Sequence, residues 1–151
     1  DFLLKEYKIK TTQDKKRNTK IIDTDKLSRA ALAEAKKHQT TIFEGHLSHY
    51  APADITIVLR TEPKELEKRL KKRDWNKEKI RENIEAEAID AITVECIRRK
   101  NVIELDTTDE FPEIIATMIV RAINDIKVRD HYAPGRIDWS EKYVIYLKNR
   151  R

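Results

Sequence analysis

Apolar positions along the chain fall into short β-branched runs separated by longer stretches with helical spacing. Three runs read as strands: Thr40-Thr41-Ile42-Phe43, Ile55-Thr56-Ile57-Val58-Leu59 running on to Arg60, and Val102-Ile103-Glu104-Leu105. Leu27, Ala30, Ala31 and Ala35 mark a helix over residues 26–37, with Asp23 or Thr24 placed to cap it. Pro63 suits the first turn of a helix that carries Leu66 and Leu70 on one stripe and Arg69 and Arg73 on the next. Ile80, Ile84, Ala88, Ala91 and Cys96 predict one long helix over residues 77–99. Ile115, Met118, Ile119, Ala122 and Ile126 form the apolar face of another helix, opened by Pro112. Residues 1–20 read as a short helix and a polar, Lys-rich connection. After the turn-rich residues 132–139, Tyr143-Val144-Ile145-Tyr146-Leu147 reads as an added strand.

Strands alternating with helices predict an α/β fold, a parallel sheet with helices on both faces. In such sheets ligands gather at the carboxyl ends of the strands. The three predicted strands end in Glu44-Gly45-His46, in Arg60 and in Asp106-Thr107-Thr108, all suited to that task.

Composition narrows the setting. A chain of 151 residues can bury the core of one domain. With 39% charged residues and no apolar run near the roughly 18 residues of a membrane span, no membrane partner is expected. The opening Asp1-Phe2-Leu3-Leu4-Lys5 lacks the layout of a secretory signal. A single cysteine, Cys96, excludes a disulfide framework and fits a reducing cytoplasm. The net charge of +5 is concentrated: residues 1–20, 60–83 and 127–151 each carry +4, and the remainder sums to −7. Such patches suit an anionic ligand met by particular segments, the alternative being Lys-rich helices with solvated faces.

The candidate chemistry is that of phosphate. Arg69 and Arg73 lie one helical turn apart, with Lys79 and Arg81 across a short break, so a closing flap can bring several cations onto one triphosphate. Phosphoryl transfer needs mainly positioning and neutralisation of nonbridging oxygens, which such a flap supplies. The competing reading pairs these cations with Glu62, Glu65, Glu67, Glu78 and Glu82 along a solvated helix. Glu44 at a strand end can hold Mg²⁺ through water, Gly45 allows a sharp turn, and His46 can position a water, accept a proton or bond a phosphate oxygen, or serve as a structural histidine. His46 and His49 beside Glu44 lack the further ligands of a zinc site. With only Gly45 and Gly135 in the chain, the phosphate loop G-x-x-x-x-G-K-[ST] does not occur in it.

The block Leu66-x-x-Arg69-Leu70-x-x-Arg73-x-Trp75-x-x-x-Lys79-Ile80-x-Glu82-Asn83-x-x-x-Glu87, with the preceding Ile55–Thr61 run, Glu44-Gly45-His46 and Gly135-x-Ile137-Asp138-Trp139, resembles the adenylate kinase 6 type of nucleoside-monophosphate kinase in its archaeal form. The resemblance covers nearly the whole chain up to Trp139. It implies a P-loop kinase-like three-layer fold, ATP and Mg²⁺, AMP or another nucleoside monophosphate, possible hydrolysis of ATP, and a role in small ribosomal subunit maturation with a ribosomal protein or rRNA as partner. Position by position it implies that Arg73 opens a lid at about residues 72–82 and contacts ATP, that Arg69 is a second phosphate or adenine contact, and that Lys79 joins them. Glu44 and His46 stand where the family has an acidic residue and a histidine, Glu44 where its eukaryotic members more often have Asp. Asp106 and Thr107 lie where it places a loop near the adenine. Residues 1–22 correspond to part of a monophosphate-binding region, with Lys5 the cation nearest the family's arginine. Residues 23–126 correspond to the kinase core and 127–151 to a basic tail, which with Lys15-Lys16-Arg17 is the candidate RNA-binding element. Since family members begin with a strand, a phosphate loop and a helix, the expectation is a form incomplete at its amino end, lacking the N-terminal strand and P-loop; the alternative is a chain that has lost ATP hydrolysis.

Overall fold

The computed structural model describes residues 2–14, 19–73 and 75–148, so Lys15, Lys16 and Arg17 lie outside the described residues. They group into two compact units, residues 1–53 and 54–151.

In the first unit, α1 (Phe2–Glu6) leads into β1 (Thr11–Asp14) and β2 (Thr19–Ile22), an antiparallel pair with Thr11 opposite Ile22. The expected polar connection is thus a hairpin, held by backbone pairing that its side chains do not advertise. Next comes α2 (Thr24–Ala35), where Asp23 caps as expected: its Oδ1 accepts from Lys26 N at 3.0 Å, and that bond holds its pKa down. The Tyr7 hydroxyl donates to Glu34 Oε2 at 2.9 Å, joining the chain after α1 to the last turns of α2. Lys37 and Tyr7 hold the Glu34 carboxyl down at about 2. The strand expected at residues 40–43 does not form. A strand needs a ladder partner, the described residues give it none, and Ile42 is left 87% exposed. A single 3-10 turn, Ser48–Tyr50, follows.

The second unit is built on two strands. β3 (Thr56–Arg60) and β4 (Val102–Asp106) pair in parallel, Thr56 opposite Val102 and Arg60 opposite Asp106. Between them run α3 (Pro63–Lys71, proline in its first turn), α4 (Lys77–Ala88) and α5 (Ala91–Cys96). After β4 come α6 (Pro112–Asn124), α7 (Ile126–His131) and α8 (Ser140–Lys148). Val58, Cys96 and Val102 pack together across β3, α5 and β4, and Leu70, Ile80, Ile84 and Tyr146 join α3, α4 and α8.

Three expectations change here. Tyr143–Leu147 lies in helix α8 rather than in a strand: Tyr143 and Tyr146, three apart and so on one helical face, stack at 6.1 Å and pack on the Leu70–Ile84 cluster, while Val144 and Ile145 face outward. Ile126 is exposed at the start of α7 instead of extending the α6 face, because Asp125 ends one helix and caps the next through Lys127 N. The long helix at 77–99 is broken at Asp90, whose backbone is left-handed (φ 56°).

The reason for that break is Arg60. Its side chain, 2% exposed, turns into the unit and not toward a ligand, so the reading of this strand end as a ligand contact is corrected. All five guanidinium donors are engaged: Nε on Glu87 Oε1 at 2.6 Å, Nη2 on the Glu87 carbonyl at 2.9 Å and on Asp90, Nη1 on Glu104 and, at 3.4 Å, on Thr93 Oγ1. Thr93 also donates to Glu104 at 2.7 Å, and the other Glu104 oxygen accepts from Gly135 N at 2.7 Å. Burial alone would lower the Arg60 pKa, but the three carboxylates outweigh it and raise it. Arg60→Met leaves these carboxylates without their cation and is expected to cost about 3–5 kcal/mol of stability, read from urea unfolding.

Candidate functional site

The carboxyl ends of β3 and β4 are sewn together. Thr107 N donates to Arg60 O at 2.8 Å and Thr107 Oγ1 donates to the same carbonyl at 2.9 Å. With its one proton spent there, Thr107 accepts from the Thr61 hydroxyl at 2.8 Å. Glu62 N donates to Thr108 Oγ1 at 2.9 Å, and Asp106 Oδ1 accepts from Thr108 N at 2.9 Å.

Arg69 closes this seam from α3. Its Nη2 donates to the carbonyls of Thr107 at 2.6 Å and Thr108 at 2.9 Å, its Nη1 to Thr107 Oγ1 at 3.1 Å and its Nε to Glu65 at 3.3 Å. Arg69 and Arg73 therefore do not form one cationic face, as their spacing suggested. α3 ends before Arg73, whose guanidinium lies 5.9 Å from the centroid of the Trp75 ring; Lys79 Nζ stands 3.9 Å from the same centroid. Lys79 lies in the first turn of α4, its N–H capped by Asn76 Oδ1 at 2.8 Å, and the Trp75 ring is half-buried against the Leu70–Ile84 cluster.

The remaining candidates lie in the first unit. Lys5 is exposed on α1, and Glu44 and His46 are exposed on either side of Gly45, whose φ of 145° is one that favours glycine. Among the described residues no three His, Cys, Asp or Glu side chains cluster as a metal cage would. A groove of about 510 Å³ opens between the chain after α1 and α2, with the buried Ile9 and Ala30 as floor and Ala33, Lys8, Lys10, Lys26 and Arg29 around it. The basic excess of residues 1–20 was the sequence signal for this groove, though it did not single out these residues.

Comparison with known proteins decides the family. A family model described as "AAA domain" matches residues 1–90. A protein of Thermococcus kodakarensis named "Putative adenylate kinase" is 41% identical over 143 residues, 93% of this chain and 78% of that protein. Those of the same name from Methanocaldococcus jannaschii and Pyrococcus furiosus are 38% and 44% identical, over 95% and 74% of this chain and 78% and 63% of their own lengths. The chain belongs to this adenylate kinase family.

Adenylate kinases are phosphotransferases with a P-loop kinase-like α/β fold, and the parallel pair β3–β4 with its helices is the part of that fold seen here. Within this adenylate kinase-family chain the predicted site residues fall into three groups. Arg69 and Thr107 meet, with Asp106 bonded to Thr108 N beside them, in a seam that uses their polar atoms; Arg73 and Lys79 meet over Trp75; Lys5, Glu44 and His46 are exposed in the other unit. Behind the seam, Glu87 accepts from Arg60 Nε and, at 3.1 Å, from Thr61 N. Burial pushes its pKa up, against the pull of Arg60, a cation shared among three carboxylates.

Two outcomes follow from this geometry. Arg69→Lys, which cannot reach two carbonyls and a hydroxyl in one plane, is expected to lower stability by about 1.5–3 kcal/mol in urea unfolding. Because the folded pKa of Glu87 lies above its unfolded value, its contribution is complete below that value and declines as pH rises through the folded one. Glu87→Gln should remove that decline when urea midpoints are compared between about pH 4 and pH 7.

Proposed function

We propose that this protein transfers the γ-phosphoryl group of ATP to a nucleoside monophosphate, AMP foremost, in the cytoplasm, with hydrolysis of ATP when water takes the acceptor's place. Family membership supports the reaction class, and the observation that carries the site is the pair Arg73 and Lys79 on Trp75. Arg60 and Arg69 are committed to carboxylates and carbonyls, whereas Arg73 and Lys79, at the start of the lid, rest on a π face that leaves their charge available to a ligand.

In phosphoryl transfer the charge sits on nonbridging oxygens, and cations fixed near them lower the barrier without a protein nucleophile. Arg73 supplies a planar fork to two oxygens and Lys79 a compact point charge. Arg69 acts here by holding the Asp106-Thr107-Thr108 loop, which offers the adenine its remaining polar edge rather than the Thr107 hydroxyl. In the first unit, Lys5 and the four cations of the groove are the groups for the acceptor's phosphate, and His46 is the one for a water or a phosphate oxygen. Mg²⁺ would supply charge neutralisation of the phosphates. A phosphate-bound Mg²⁺ keeps its waters and needs only one or two carboxylates, so the lone, exposed Glu44 fits it as an outer ligand.

A second reading, binding to rRNA or a small-subunit ribosomal protein, is favoured by the same basic groove, and would show as association that weakens steeply with salt and persists without ATP. For the leading reading, Arg73→Ala is expected to lower kcat/KM for ATP about 10²–10³-fold in a coupled assay of ADP formation from ATP and AMP. An unchanged value would overturn the assignment.

A further inference from the structure

Among the described residues Trp75 is the one aromatic side chain that carries two cations, and both are cations assigned to the donor phosphates. Its place explains how it can do so. Arg73 follows the end of α3, its N–H bonded to Leu70 O at 3.0 Å, and Lys79 sits in the first turn of α4. The ring stands between them in sequence and is packed against Leu70, Ile80, Ile84 and Tyr146, a cluster drawn from three helices. Packing fixes the ring, and the ring's negative π face then fixes where the two long side chains rest.

We propose that Trp75 is the positioning residue of the lid: it gathers Arg73 and Lys79 at the joint between α3 and α4 and holds them there for the phosphates of the arriving nucleoside triphosphate. Two like charges brought to one place repel, and each long side chain loses rotamer freedom on being held. A π face is suited to offsetting both. It holds each cation without neutralising its charge, so a triphosphate can bind to both while they stay on the ring, whereas a carboxylate in the same position would compete with the ligand. The ring is also a spectroscopic witness, since phosphates drawn to the two cations beside it change its surroundings. This inference rests on the reading that Arg73 and Lys79 meet the donor.

The test uses the enzyme with Trp139→Phe, which leaves Trp75 as the single tryptophan of this chain. Titration with MgATP is expected to change the Trp75 emission, and titration with AMP to leave it unchanged. Trp75→Leu, which keeps apolar packing and loses the π face, is expected to raise KM for ATP about five- to thirty-fold with kcat and KM for AMP unchanged. Trp75→Phe, which keeps a π face, should restore most of the loss. Equal KM for ATP in the Leu variant and the parent, or a loss that Phe does not restore and that affects both substrates alike, overturns the proposal. Arg73→Ala separates the two levels: if it leaves kcat/KM for ATP intact, the donor assignment itself has failed. If Arg73→Ala is impaired and Trp75→Leu is not, the assignment stands and the role of Trp75 falls.

Discussion

The second unit depends on one guanidinium. Arg60 ends the first strand of the parallel pair, and its five donors reach the end of α4 (Glu87), the left-handed turn before α5 (Asp90), α5 itself (Thr93) and the facing strand (Glu104). Glu104 in turn takes the backbone N–H of Gly135, so the segment before α8 is fastened to the same charge. A buried ion cluster of this kind adds little net stability over well-packed hydrocarbon, because desolvation offsets much of the attraction. What it supplies is direction: one planar fork dictates where four elements must stand, and a lysine with three donors could not.

The carboxyl end of the sheet inherits its order from this cluster. Arg60 faces inward, and its own carbonyl takes two bonds from Thr107, so the loops after β3 and β4 leave the strands side by side. Arg69 then spans them from α3. Arginines placed nine residues apart thus do structural work at two depths, one inside the unit and one at its edge. The basic run that follows is relieved of that work, and Arg73 and Lys79 rest on an aromatic ring instead of on carbonyls. That contrast separates the groups that hold the site from those suited to act in it.

The sequence made the strands at 56–60 and 102–106 legible because both are β-branched and bounded by polar turns, and the helices opened by Pro63 and Pro112 because proline marks a first turn. It also carried the family, through the block from Leu66 to Glu87. It could not show which way Arg60 points: a strand-end arginine reads the same whether its partners are phosphates or carboxylates 27 to 44 positions away. The break at Asp90 was hidden for the same reason, since its cause is a tertiary partner and not local propensity. Tyr143–Leu147 was misread because five consecutive apolar residues satisfy either period, and only packing against α3 and α4 chooses the helix. At residues 40–43 the β-branched composition was real, but composition does not provide a neighbouring strand. The Trp75 arrangement was present in the sequence as spacing, Arg73-x-Trp75-x-x-x-Lys79, without a sign that the two cations share one ring.

Cys96 illustrates what such packing does to chemistry that no one asked of it. It is fully buried between α5 and the two strands, and burial pushes its thiol pKa up, so the thiolate that reacts with electrophiles is scarce. The native cysteine is silent while β3, β4 and α5 remain together and becomes alkylatable when they part. A second cysteine placed on the surface can therefore be tagged selectively with Cys96 left in place, and slow modification of Cys96 itself would time the opening of the parallel pair.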